Sequence, residues 1–254
     1  MQRLEKYFWI AAQARYLAKI FRVKRFGWFV VCSWLSVAVQ AQDFGLSFSY
    51  FIPRNGTFST PISPFSFRGV GVDLNRFIAF ETGITLYRMA GLGMRDLPFT
   101  SNESLTGPNF TVFVPVELVF QLRGRSAEFN LKGGAFGFHG FSQRIDYGNM
   151  DRALRQHQNW TLANSSLSFE NKPGWGYHVG AELLFYVNRQ FGISFEGNYL
   201  MGASRFPLSG TVAGVDATGT LVTQPISFPD AKIDFTGLEF SVGVIMTSGS
   251  RGRR

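Results

Sequence analysis

From Phe44 onward, apolar side chains recur at every second position, with polar or small residues filling the positions between. That period marks strands whose two faces meet different surroundings. Eight such runs can be traced, at 44–52, 70–74, 78–86, 110–122, 129–135, 175–187, 191–201 and 238–246. The cleanest carries Phe110, Val112, Val114, Val116, Leu118, Phe120 and Leu122 on one face. The connections alternate in length. Turn-forming residues at Asn75-Arg76, Gly124-Arg125-Ser126 and Asn188-Arg189-Gln190 predict tight hairpins. Segments 53–66, 91–108, 143–173 and 206–230 predict long loops instead. Two of these loops alternate in their own right, at 160–169 and 211–222, and predict hairpins that lengthen the wall. Pro115 has no N–H to give to a ladder, so a bulge is expected there.

Alternation alone does not say which face points inward. An eight-stranded barrel has an interior just wide enough for side chains to fill. The apolar row, with its Phe, Leu and Val, would overfill that space. The opposite row is rich in glycine (Gly45, Gly71, Gly83, Gly134, Gly176, Gly180, Gly192, Gly243) and suits a crowded interior. The apolar row is therefore predicted to face outward, and an outward apolar belt requires lipid. Trp and Tyr near strand ends (Tyr50, Tyr87, Trp175, Tyr177, Tyr186, Tyr199) are expected to form the aromatic girdle at the lipid–water boundary.

The chain has 254 residues, of which 45% are hydrophobic and 17% charged, with Phe 28 and Gly 28. Its formal net charge of +8 is unevenly spread, because seven of the 25 Lys and Arg lie in the first 25 residues against the single acid Glu5. The remainder is nearly balanced, which excludes a basic nucleic-acid-binding protein. Arg22, Lys24 and Arg25 precede the apolar run 26–39 and then Val39-Gln-Ala41. That order predicts a secretory signal peptide cut after Ala41, the run being too short for a membrane-spanning helix. The long basic segment suggests initiation at Val23. Cys32 lies within the signal, so the exported part contains no cysteine. The expected division is 1–41 for the N-terminal extension and signal, and 42–254 for a barrel with four long extracellular loops and three short periplasmic turns.

The pattern over 42–247 resembles the small eight-stranded outer-membrane barrels, of the kind seen in the OmpA membrane domain and OmpX. More narrowly it resembles the Bacteroidota outer-membrane β-barrels that include the PorT-like group. The resemblance implies an all-β fold, an eight-stranded antiparallel transmembrane up-and-down β-barrel in the outer membrane of a Gram-negative bacterium. It also implies a structural or binding role as surface receptor, adhesin or accessory subunit of a membrane or secretion complex, without a cofactor or enzymatic activity. The implied partners are outer-membrane lipid and lipopolysaccharide, the barrel-assembly and export machinery, and other outer-membrane proteins.

Most strand charges fall on the inward row. Counted from their strand ends, Glu81, Glu117, Lys132, Glu182 and Glu196 share one height near mid-barrel, and Glu239 joins them. Several carboxylates around one ammonium predict a hydrogen-bonded plug that titrates as a set, with at least one Glu protonated. His178 falls on the same row, four positions from Glu182, and is expected to hydrogen bond in the lumen. Arg68 is expected to project outward, where it could meet lipopolysaccharide phosphates. Arg144, Arg152, Arg155 and Trp160, in the loop at 143–173, are the expected partner contacts. Two other readings remain open. Phe138-His139-Gly-Phe-Ser142 offers a His and a Ser for a lipid A-modifying hydrolase, although the spacing is three where that family has two. The charged row could also line a narrow pore. No metal site is expected.

Overall fold

A computed structural model describes residues 43–55, 62–89, 91–188 and 190–247. The expected export signal lies outside the described residues. In chain order the first strands are β1 (Asp43–Pro53), β2 (Ile62–Asp73), β3 (Ile78–Met89), β4 (Met94–Arg95), β5 (Asn109–Arg123) and β6 (Ala127–Phe141). Helix α1 (Tyr147–Gln158) follows, then β7 (Leu162–Phe169), β8 (Gly174–Tyr186), β9 (Phe191–Arg205) and β10 (Leu208–Val215). The last are β11 (Leu221–Phe228), β12 (Lys232–Asp234) and β13 (Gly237–Thr247).

Eight of these strands form a closed antiparallel cylinder in the order β1, β2, β3, β5, β6, β8, β9, β13, with β13 pairing back onto β1. Closure leaves no unpaired sheet edge around the wall. The alternate residues named above stand outward: Leu118 is 54% exposed, Trp175 64% and Phe240 51%. Contiguous apolar surface of this extent is incompatible with water and fits hydrocarbon. At one end Asn75 and Asn188 each fold a turn through the side-chain oxygen, which accepts from the amides of Phe77 and Ile78 and of Gln190 and Phe191 at 2.8–2.9 Å. At the other end the connections are long, and those after β3, β6 and β9 carry elements of their own.

Two of those connections continue the wall. β7 pairs with β10 and β10 with β11 in a separate three-stranded sheet. The amide of Lys172 donates to Arg205 and that of Glu170 to Pro207, so β7–β8 and β9–β10 run as one long ladder. The loop at 143–173 also holds α1, which the period-two reading did not predict. Asp146 caps its N-terminus by accepting from Asn149, and Asn159 ends it in the left-handed region at φ 54°. Met150, Ala153 and Leu154, spaced for a helix, bury its inner face.

Two expectations about the wall need correction. Pro115 produces no register shift, because β5 stays in step with both neighbours and pairing with β3 merely lapses around Gly83 and Ile84. The carbonyl of Pro115 instead accepts from the Thr82 hydroxyl at 2.7 Å. The irregularities lie in β2, where register slips between Ile62 and Phe65 and again between Phe67 and Val70, where Gly69 adopts φ 78°. One extra residue there inverts the alternation, so Arg68 points into the lumen rather than outward.

Packing inside is tight beside the inward glycines. A Cβ on Gly134 would collide with the backbone of Val116 and Glu117, whereas one on the outward neighbour Gly133 meets only the His178 carbonyl at 3.9 Å. Gly134→Val is therefore expected to cost about 2 kcal/mol or more, and Gly133→Ala to change little. Urea midpoints of both variants folded in detergent micelles check this.

Candidate functional site

The lumen is closed by two stacked layers, one charged and one aromatic. The charged layer follows from strand register. Glu81 lies directly opposite Glu117 across β3 and β5, and Glu182 opposite Glu196 across β8 and β9. Like charges so placed repel, and they persist because cations reach in from elsewhere. Lys132, on β6 between β5 and β8, brings its Nζ to 2.9 Å from Glu182, 3.5 Å from Glu196 and 3.9 Å from Glu81. Its cross-strand neighbour on β8 is Gly180, where a Cβ would collide with the Asn198 side chain and the Gly197 carbonyl.

Arg68 is the second cation. Its Nη1 donates to Glu196 at 3.0 Å and its Nη2 to Glu239 at 2.6 Å. Its Nε donates to Ser66 at 3.0 Å, and Nε and Nη2 each lie 3.4 Å from the Thr85 hydroxyl. Glu239, fully buried, also accepts from Tyr87 and from Asn198 Nδ2 at 2.8 Å. Asn198 donates to Glu196 as well, at 2.7 Å, and Asn130 supports Glu182 at 3.1 Å. The layer thus holds Glu81, Glu117, Glu182, Glu196 and Glu239 around two cations rather than one. Burial of such charges is tolerable only when each is paired and hydrogen-bonded.

His178 meets Glu117, not Glu182. Residues four apart on one strand are separated by about 13 Å, but Glu117 and His178 flank Gly134 on its two neighbouring strands. They face each other across that glycine with Nε2 3.6 Å from Oε1. This is an ion-pair distance beyond a hydrogen bond, and both imidazole nitrogens and Glu117 Oε1 lack protein hydrogen-bond partners. Toward the short turns lies a second polar tier: Arg123 joins Asp73 at 3.0 Å and Glu128 at 3.5 Å, and Tyr186 donates to Glu128 at 2.7 Å. A cavity of about 30 Å³ separates the tiers, beside Glu81, Gln121, Asn130 and Lys132. It is large enough for about one water.

Above the charges sits Phe235, delivered into the mouth by the chain between β12 and β13. Its ring lies 4.9 Å from Phe51 and 4.5 Å from Phe138, with Phe113, Phe136 and Tyr87 around it. Its amide is held by the Gly202 carbonyl at 2.9 Å. Leu92, Leu105, Met150, Leu154, Phe206 and Ile233 extend this cluster into the cap of long loops. Tyr87 and Tyr186 therefore leave the expected girdle and serve the lumen, because both lie on inward rows. Trp175 and Tyr177 do stand outward.

The loop residues expected to meet partners are differently employed. Arg144 and Arg155 are exposed, and Arg152 forms an exposed ion pair with Glu103. Trp160 is half-buried and packs on the cap's apolar cluster. His139 lies edge-on to Phe141, and no hydrogen bond joins it to Ser142 among the described residues. No group of metal-ligating side chains occurs among the described residues. Arg68, Tyr87, Glu128, Asn130, Tyr186, Asn198 and Phe235 are among the lumen residues that sequence reasoning missed or misplaced.

No protein-family model matches the chain, and no curated protein does. Among solved structures it is similar to the outer membrane protein OprG from Pseudomonas aeruginosa, at 10% identity and a TM-score of 0.49, covering 81% of this chain and 95% of that one. It is also similar to Neisserial surface protein A (11%, TM-score 0.38, 81% and 97% covered). Ail, the attachment invasion locus protein of Yersinia pestis, is a third (12%, TM-score 0.35, 80% and 94% covered). The barrel itself is defined by this chain's own closed ladder.

Removing the Arg68 charge leaves buried Glu239 without a cation among the described residues and Glu196 with Lys132 alone. Arg68→Gln is expected to destabilise the folded barrel by about 3–5 kcal/mol, and adding Glu239→Gln to restore part of that loss. A double-mutant cycle of urea midpoints in micelles measures the coupling.

Proposed function

We propose that the chain is an integral outer-membrane protein with a structural or binding role at the cell surface, not a conduit. The observation that carries this reading is the double closure of the lumen. The ion-paired layer around Arg68 and Lys132 blocks mid-barrel, and the Phe235 cluster blocks the mouth. A structured cap of α1 and the sheet β7–β10–β11 sits beyond both and offers a firm surface for a partner. Arg144 and Arg155 are the exposed cations of that cap proposed to meet it. The PorT-like reading, as an accessory subunit in secretion, is one form of this role and rests on resemblance.

The purified full chain in a planar bilayer is expected to show no steady conductance. Phe235→Ala is expected to lose about 3 kcal/mol of stability yet remain closed, because the charged layer persists beneath it. A large, stable current through the wild-type monomer would overturn the reading in favour of a pore. A lipid A mass spectrum altered by expression of the chain would favour the hydrolase.

A further inference from the structure

The rim of the barrel carries a row of cations that the lumen does not use. Arg95 on β4, Lys232 on β12 and Arg205 on β9 lie directly opposite one another on adjacent antiparallel strands. Directly opposed residues share a face of the sheet. The other face is fixed by Met94, Ile233 and Ser204, which turn into the cap and barrel interior. The three cations therefore stand on the outside of the wall. Arg95 and Lys232 remain 44% and 35% exposed at the side chain, and Arg205 is exposed. Arg54, also exposed, follows β1 and donates its amide to the Thr236 carbonyl, two residues past β12, at 2.7 Å.

Like charges directly opposite one another destabilise a ladder. Here the acids offset only part of the charge. Asp96 accepts from Lys232 at 2.8 Å, which holds its carboxyl below the usual range, and buried Asp234 lies 3.6 Å from Arg95. Arg205 has no acidic partner among the described residues. The row also has a definite height. Trp175, on the lipid-facing side, is paired with Ala203, so Arg205 stands two residues, about 7 Å, beyond it. Tryptophan marks the membrane–water boundary, which puts the cations at the level of headgroup phosphates.

We infer that this rim binds the phosphate groups of a phosphorylated glycolipid in the outer leaflet, with Arg95, Lys232 and Arg205 as the anion ladder and Trp175 against its acyl region. This rests on the outer-membrane reading above and adds a site to it. Bidentate guanidinium contacts from two arginines suit phosphate geometry, and a lipid supplies phosphate at that depth where a free anion does not.

The full chain is folded into neutral detergent micelles, and heat-modifiable electrophoretic mobility confirms the barrel. Binding of bisphosphorylated lipid A is then compared with its dephosphorylated form, and inorganic phosphate is added as a competitor. Tenfold or greater preference for the phosphorylated lipid is expected, with the preference lost in the Arg95→Gln/Lys232→Gln/Arg205→Gln variant. The Arg205→Gln variant keeps both ion pairs and covers the case in which the triple variant does not fold; it is expected to lose several-fold. Equal binding of the two lipids by the folded wild type overturns the inference, as does full competition by millimolar phosphate. If the wild type does not fold in micelles, or remains monomeric without detergent, the membrane reading fails first and the inference with it.

Discussion

A barrel whose outside is committed to hydrocarbon must turn the polar residues of its membrane-embedded strand segments into a lumen too narrow for bulk water. Those residues have to satisfy one another. Five carboxylates meet in the mid-barrel layer here, and two pairs of them are directly opposed across neighbouring strands. Arg68 and Lys132 make that arrangement possible because each bridges several strands. Arg68, on β2, reaches Glu239 on β13 and Glu196 on β9, while Lys132, on β6, reaches Glu182 on β8, Glu196 on β9 and Glu81 on β3. Glu196 is shared by both cations, so the two halves of the network are joined through it. Glu117 and His178 stand at its margin, facing each other without a hydrogen bond.

Much of this was legible, because a strand between lipid and a polar core has one periodicity and nothing else to obey. The inward position of Glu81, Glu117, Lys132, Glu182, Glu196, Glu239 and His178 followed from parity. Arg68 was misread because parity was extrapolated across Gly69. The clue was present: Phe65 and Phe67 keep the odd phase, whereas Val70 and Val72 keep the even one. A change of phase across a glycine is what a bulge produces. Tyr87 and Tyr186 were assigned by residue type against their parity, and parity prevailed. In α1, Asp146 and the spacing of Met150, Ala153 and Leu154 signal a capped helix that period-two reading passes over. Phe235 had no such signal, since its partners come from strands distant in sequence.

The two closures differ in physical kind. The charged layer is directional and depends on matched partners, so a single unpaired group is costly there. The Phe235 cluster is non-directional and tolerates small shifts, and it joins barrel strands to the cap through one continuous apolar contact. That continuity explains how the long connections hold a defined shape. Their backbones are tied to the barrel at Arg54–Thr236, Asn55–Gly93 and Gly93–Asp234, and Asn55 donates to the buried Asp234 at 2.7 Å.

The same anchoring governs the outer rim. Met94 and Ile233 are held in the cap's core, so the opposite face of β4 and β12 cannot rotate to separate Arg95 from Lys232. On a mobile loop, two such cations would drift apart and remain solvated individually. On a short ladder pinned from behind, their mutual repulsion persists until an anion or an acid relieves it. Asp96 and Asp234 supply part of that relief. What they leave uncompensated, chiefly at Arg205, lies on the side of the wall that faces the membrane surface, which is where a phosphate-bearing lipid would meet it.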